Sequence, residues 1–447
     1  MKIAEFVRRI EASYEHVAKI LFNELKGSEE AVLNINGEES LFVRFNQNKI
    51  RQNIFVEQAF LRLQLQDTTR MTKATWGLTG DLDIDAKEAR LRLGHLRAEL
   101  AQLPEDPHLV KLVDHGHSHD DKPSLRQDEE IIEEILRETE GSDMAGLFAG
   151  GPLFVGNKNS KGQNHWFSTS NFFFDYSLYY QQKAVTGVVA GRNWEPESFK
   201  KKIHESQNLL TLMKRPVQPV KPGKYRVYMA PGAVSEIASL MNWGALSHKA
   251  YRTGGCALQK FVDKEQQLSP LINLGENFDL GWTPRFNSWG EVSKSHLPLV
   301  ENGQLTQLLT NSNSAMEYKI QGNAAGEYEG PRSLEIKTGT LENQDILKKL
   351  DTGLYISNLH YLNWSDVTMA RFTGMTRYAC FWVEKGEIIG PIQDLRFDES
   401  FYRCWGSELA EITNFSELAP GVLTYGEREH GGKKVPGLLI NTWNFTL

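Results

Sequence analysis

Cysteine is scarce in this sequence: Cys256, Cys380 and Cys404 are the only three in 447 residues. An odd number of widely separated cysteines without CxxC spacing excludes a disulfide framework and a zinc ribbon, and it fits a reducing compartment. Surplus positive charge is absent as well. With 50 Lys and Arg against 57 Asp and Glu, the formal net charge is −7. Such a chain is poorly suited to a phosphate backbone, so nucleic acid is not an expected partner. No apolar run reaches the roughly 18 residues of a membrane span. Near the N-terminus, Glu5, Arg8, Arg9, Glu11 and Glu15 interrupt the stretch in which a signal peptide would carry its apolar segment. The expectation is a cytoplasmic protein with no membrane partner. The nucleophile and nucleotide signatures GxSxG, GxxxxGKS/T and GxGxxG are also missing, which removes the families that depend on them.

What is present is ordinary globular material, 40% hydrophobic and 24% charged, long enough for two or three domains with their own cores. Residues 3–24 carry Phe6, Val7, Ile10, Tyr14, Val17, Ile20 and Leu21 on one helical stripe. The segments AVLNIN, SLFVRFNQNKIRQ and IFVEQAFLRLQLQD lie close to period two, with turn-prone residues at Asn34–Gly37 and Asn46–Asn48, which predicts an antiparallel meander. A helix over 83–103 should pack on it. Residues 104–127, with three prolines and dense His, Asp and Ser, read as a loop or connector. The plan then repeats: a helix over 128–140, strands near 147–155, 165–182 and 184–192, and a helix over 196–213. Pro216, Pro219, Pro222 and Gly223 make 215–223 an extended linker. Beyond it, short strands are punctuated by glycine. The expected fold is α+β. An N-terminal helix-plus-antiparallel-sheet region, with α/β subdomains at 1–103 and 128–214, precedes a β-rich, barrel-like C-terminal domain at 224–447.

The stretch YRVYMAPGAVSEIASLMNWGALSHKAYRTGG, residues 225–255, opens that C-terminal half. Tyr225, Val227 and Met229 alternate with Arg226, Tyr228 and Ala230 as a half-buried strand, and Pro231-Gly232 breaks the period,. Val234, Ile237, Ala238, Met241 and Leu246 then recur at helical spacing, with Ser235 and Glu236 near the helix start,. This succession resembles the opening of the C-terminal domain of the TldD/PmbA family. Further segments are similar to the same family: FVRFNQNKIRQN and NKNSKGQNHWF in the N-terminal half, then HLPLVENGQLTQLLTNSNSAMEY, QGNAAGEYEGPRSLEI, LENQDILKKLDTGLYISNL and RFTGMTRYACFWVEKGEIIGPIQDLRF in order.

The resemblance implies a division within the family. The TldD branch carries a zinc-peptidase motif, HExxxH, on the corresponding helix, and the TldE (PmbA) branch lacks it. Between Pro231 and Gly255 this chain has one histidine, His248, and one acid, Glu236, so it resembles the TldE branch. By that resemblance it is a non-catalytic subunit of a cytosolic TldD/TldE-type zinc metallopeptidase complex acting on unfolded peptides or leader peptides. It holds no cofactor itself, and zinc is expected in a TldD-like partner. Two alternatives stay open: a free-standing homodimeric binding or regulatory protein, of the kind behind the family's label as a modulator of DNA gyrase, and a hydrolase with unorthodox metal ligands.

His204-Glu205 is the only His-Glu pair, but Asn208 and Leu209 stand where a second ligand is needed. In the TldD branch a late cysteine serves as a further ligand; by position Cys380 is not its counterpart, and it reads as a small core residue. The segment from Tyr425 to Pro436, which corresponds to that part of the family, has no cysteine. Asp114, His115, His117, His119, Asp120 and Asp121 are the densest set of ligand types, expected on a solvated loop. Phe372, Thr373 and Gly374 lie in a β-prone run that either offers an edge to an extended peptide or forms an internal strand.

Overall fold

The computed structural model describes residues 5–122 and 128–446. The N-terminal half runs α1 (Glu5–Asn23), β1 (Glu30–Asn46), β2 (Lys49–Gln66), β3 (Met71–Gly77), α2 (Leu82–Leu100), β4 (His117–Lys122), α3 (Asp128–Glu138), β5 (Asp143–Asn159), β6 (Asn164–Tyr180), β7 (Lys183–Gly191) and α4 (Pro196–Met213). The two expected helix-plus-meander units share a single sheet of order β3-β2-β1-β5-β6-β4, with β7 also on β6. The joint between them is the antiparallel β1–β5 pair, Val32↔Asn159 through Phe45↔Gly146. The loop expected over 104–127 contains β4, paired in parallel with His165 and its neighbours on β6; residues 123–127 lie outside the described residues.

The sheet has one apolar and one polar face. Odd-numbered β1 residues point to the helices: Leu33 and Ile35 pack with Ile10, Tyr14, Val17, Leu93 and Leu96 of α1 and α2, and Val43 and Phe45 with Ile131, Ile135, Phe199 and Ile203 of α3 and α4. Even-numbered residues point the other way, as the two-residue strand period requires. Asn34 accepts from Asn157 Nδ2 at 2.8 Å, and the buried Glu38 accepts from Gln58 Nε2 at 2.6 Å. The turn expected at Asn34–Gly37 is therefore the middle of a 17-residue strand. Gly37 is there because a Cβ would run into the Phe154 ring and lie 2.5 Å from Gln58 O.

The C-terminal half comprises β8 (Gly223–Met229), α5 (Pro231–Ser239), β9 (Leu274–Asn277), β10 (His296–Glu301), β11 (Gln304–Leu305), β12 (Ser333–Ile336), β13 (Gly353–Ile356), β14 (Asn358–Asp366), β15 (Arg371–Arg377), β16 (Phe381–Glu384), β17 (Glu387–Pro391), β18 (Arg396–Ser400), β19 (Leu409–Pro420) and β20 (Gly432–Phe445), with short helices between. These strands form one branched sheet whose path ends at β11 and β17 without closing. The hub is β20, which pairs with β8, β12, β18 and β19. Val227, Val234, Ile237, Phe372, Leu438 and Trp443 are among the residues of the large core beneath it. The stretch 215–223 is mostly exposed but is tacked to β17 and its neighbour, Gln218 N donating to Pro391 O at 2.7 Å and Gln393 Nε2 to Val220 O at 2.6 Å. No helix among the described residues is long and apolar enough to cross a membrane.

Candidate functional site

The helix that opens the C-terminal half is short. Ala230 is extended, Pro231 takes the first helical position where its missing N–H is no loss, and the α-helix ends at Ser239 before a 3-10 turn, Leu240–Asn242. The helix expected to reach Leu246 thus stops seven residues, about two turns, earlier,. Ala233, Val234, Ile237 and Ala238 are buried against the sheet. Gly232 comes so close to β14 that a Cβ would sit 2.8 Å from Asn358 Nδ2 and 3.0 Å from Ser357 O.

Glu236 and Ser239, one turn apart, look away from that core, and Lys433 from the start of β20 meets them. Its Nζ donates to Ser239 Oγ at 2.5 Å, while Ser239 Oγ donates to Ser235 O at 3.0 Å. The ammonium therefore lies against the last turn of α5, where unpaired carbonyls favour a cation. Glu236 is open to solvent, yet surrounding protein raises its carboxyl pKa, partly offset by Lys433. The Glu236 carboxyl is thus accessible yet partly desolvated by the protein around it,. Burial likewise lowers the Lys433 pKa, opposed by Glu236 and Glu429.

Glu429 belongs to the strap 421–431 that links β19 to β20 and crosses to the polar face of the N-terminal sheet. Arg428, buried, donates to Ser40 Oγ at 3.2 Å, Gly151 O at 3.3 Å and Asn171 O at 3.2 Å, and also to Asn171 Oδ1. Asn36 Nδ2 donates to Glu427, and Gln58 Nε2 to Gly426 O at 2.6 Å. Burial and the Arg428 charge push the His430 imidazole down to about 4. A second set of contacts joins the halves: Asn157 Nδ2 donates to Ser288 O at 2.8 Å, Thr169 Oγ1 to Gly281 O at 2.8 Å, and His165 stacks on Phe286 at 5.2 Å. On the same polar face Asp175 is partly buried, and desolvation raises its carboxyl to about 6.

This side of α5 brings together one carboxyl, a hydroxyl and an ammonium. A zinc ion does not fit it: α5 supplies no imidazole, and the fixed charge of Lys433 opposes a dication. Among the described residues no three His, Cys, Asp or Glu side chains converge as a metal site. His119 instead pairs with Asp121 at 2.9 Å and Glu11 at 3.6 Å, and Lys122 with Asp120 at 2.9 Å. His204 and Glu205 lie exposed on α4. Cys380 is buried, its thiol pushed up to about 11. A cleft of about 730 Å³ lies elsewhere, lined by Met369, Arg371, Tyr402 and Arg403 among others. Its guanidinium groups are already paired, Arg371 with Asp398 at 2.7 Å and Arg403 with Glu399 at 2.9 Å.

Phe372, Thr373 and Gly374 do not form an edge. Their strand, β15, is paired with β14 on one side and β18 on the other, Phe372 is fully buried, and Thr373 Oγ1 donates to Phe397 O at 2.7 Å. The residues that sequence reasoning missed are Lys433 and the strap around Arg428. The signal for them was the density of ionisable side chains in Glu427, Arg428, Glu429 and His430, more than a surface turn needs.

Comparisons with known proteins bear on this architecture. No curated protein matches the sequence. Among solved structures, TldE from Thermococcus kodakarensis is similar with a TM-score of 0.78 at 14% identity, over 98% of this chain and 100% of that one. A proposed modulator of a DNA gyrase from Thermotoga maritima gives 0.75 at 12%, over 98% and 100%. A similarly described protein from Bacteroides thetaiotaomicron gives 0.75 at 16%, over 100% of both chains. At such identities these likenesses establish the fold. Residues 222–446, from β8 to the end of β20, match the family model described as the PmbA/TldA metallopeptidase C-terminal domain, and the chain belongs to the PmbA/TldD family.

Proposed function

We propose that this chain is a TldE-like, non-catalytic subunit that works with a separate HExxxH-bearing chain in a cytosolic zinc peptidase acting on unfolded peptides or leader segments. The observation that carries the reading is the polar group on α5, Glu236 and Ser239 with Lys433 beside them. Water activation needs a metal with an open position and a base beside it, and here the helix presents Glu236 and Ser239 with the Lys433 ammonium bonded to Ser239. Such a group holds and orients a polar chain but generates no hydroxide. Zinc in this proposal belongs to the partner. A free-standing binding protein is the second reading, in line with the gyrase-modulator description of two similar structures.

The test is cleavage of an unfolded peptide by this chain, by an HExxxH-bearing relative, by the mixture, and by a mixture carrying Glu236→Gln. Cleavage is expected in both mixtures, sensitive to chelator, and not in this chain alone. Chelator-sensitive cleavage by this chain alone, abolished in Glu236→Gln, would promote the unorthodox-hydrolase reading in its place.

A further inference from the structure

One cavity has no part in the subunit role proposed above. The cleft of about 730 Å³ falls within the roughly 300–1,000 Å³ of small-molecule sites. Three stretches line it: the loop 266–270, Met369 and Arg371 at the start of β15, and the chain 400–409 that leaves β18. The backbone is irregular in two of them. Residues Arg403–Ser407 form a π turn, a rare shape that concentrates at functional sites. Ala370, fully buried between Met369 and Arg371, holds a left-handed φ of 48°, which costs energy in any residue with a Cβ. Main-chain bonds fix both: Ser269 N donates to Trp405 O at 2.8 Å, tying the loop to the π turn, and Phe401 N donates to Ala370 O at 3.0 Å. The walls are thus set by backbone, and the cleft is formed before any ligand arrives.

Charge decides what such a cleft takes. Arg371 gives Nε and Nη2 to Asp398 Oδ1 at 3.1 and 2.7 Å, and Arg403 gives Nε to Glu399 and Nη2 to Thr442 Oγ1, each at 2.9 Å, so each guanidinium has its own carboxylate. Lys260 has none among the described residues. Its Nζ lies 3.0 Å from Sδ of the wall residue Met369, and a thioether is a weak, uncharged acceptor. One positive charge at the rim is therefore left without a counterion. Beside it the lining combines apolar Leu268, Pro270 and Leu409 with Gln266, Gln267 and Ser407, whose side chains make no hydrogen bond among the described residues. We propose that this cleft binds a small monocarboxylate with an apolar body, the carboxylate on Lys260 and the glutamine amides, the body against Leu268, Pro270, Met369 and Leu409. A neutral ligand leaves the ammonium unpaired, and a dianion finds a single free cation. The carboxyl end of a short peptide and a free aliphatic acid share this chemistry. The inference goes beyond the subunit role and does not rest on it.

The test uses the full chain by itself and ligand-observed NMR titrations with N-acetyl-Leu-Leu, its C-terminal amide and octanoate. The dipeptide acid should bind with a Kd of about 1 mM or tighter, and the amide about tenfold more weakly, because it forgoes a charged hydrogen bond. Lys260→Met should weaken the acid about tenfold and leave the amide unchanged, whereas Lys260→Arg, which keeps the charge, should hold the acid within about threefold. Ser407→Trp, at an exposed lining position, should fill the cleft and abolish binding of both. Tighter binding of the dipeptide acid than of octanoate supports the proposal with a peptide end as the ligand, and the reverse order supports it with a free aliphatic acid. Equal affinity for acid and amide, binding indifferent to Lys260→Met and Ser407→Trp, or no binding of either acid at about 10 mM would each overturn it. No probe is cleaved and no second chain is added, so this proposal and the functional one fail separately.

Discussion

Burial of an ionisable group sets a pH dependence whose sign can be worked out from its cause, and Asp175 is the clearest case. Its carboxyl on the polar face of the N-terminal sheet is raised to about 6 by desolvation. The folded state therefore binds a proton that the unfolded chain has already released between about pH 4 and pH 6. Stability falls as pH rises through that window and stays lower above it. Asp175→Asn removes the charge, so it should stabilise at pH 8 by on the order of 2 kcal/mol and change little at pH 4. Urea unfolding of both proteins at the two pH values measures it; an equal effect at both would show that the carboxyl is not desolvated. Lys433 moves in its own direction, lowered by burial, and it contributes more as pH rises toward its ordinary value.

At the scale of elements, close packing rather than propensity fixes β1. Gly37→Ala pushes a methyl into the Phe154 ring and against a backbone oxygen that cannot move aside, and it should cost about 1–3 kcal/mol, read as a lower thermal midpoint. An unchanged midpoint would mean that the strand has room to shift. The same position shows what was legible in the sequence. The helices α1, α3 and α4 were readable to within about two residues because each buries one stripe. Asn34–Gly37 looks like a turn because two asparagines and a glycine together resemble loop chemistry. They are polar because the far side of the sheet meets another polar surface instead of water or a core. β4 was unreadable for a related reason: HSHDDK has no apolar period, and it is a strand through parallel backbone pairing to β6. For the candidate site, the start of α5 was visible, whereas Lys433 lies nearly two hundred positions away and only the fold brings it there.

For the whole molecule, the strap matters more than the linker. The segment 215–223 joins the halves covalently, but Arg428 joins them through a buried guanidinium bonded to three separate stretches of the N-terminal half. Arg428→Met leaves Asn171 and Gly151 oxygens without that donor and should destabilise by about 2 kcal/mol. Calorimetry should then resolve two transitions where the parent shows one, with new proteolytic cuts in 421–427; one transition at an unchanged midpoint would place the coupling elsewhere. The position of β20 has a consequence for biosynthesis. The N-terminal sheet is complete once residue 191 has been made, but β8 at 223–229 waits for β20 at 432–445. During the synthesis of some two hundred intervening residues β8 gains one sheet neighbour, β13, and that only once 353–356 has been made, and α5 has no β20 to rest on. Long-range pairing of this kind is slow and leaves apolar strands uncovered, so the ribosome-bound intermediate, with its N-terminal half folded and its C-terminal half open, is the stage at which this chain most needs a chaperone.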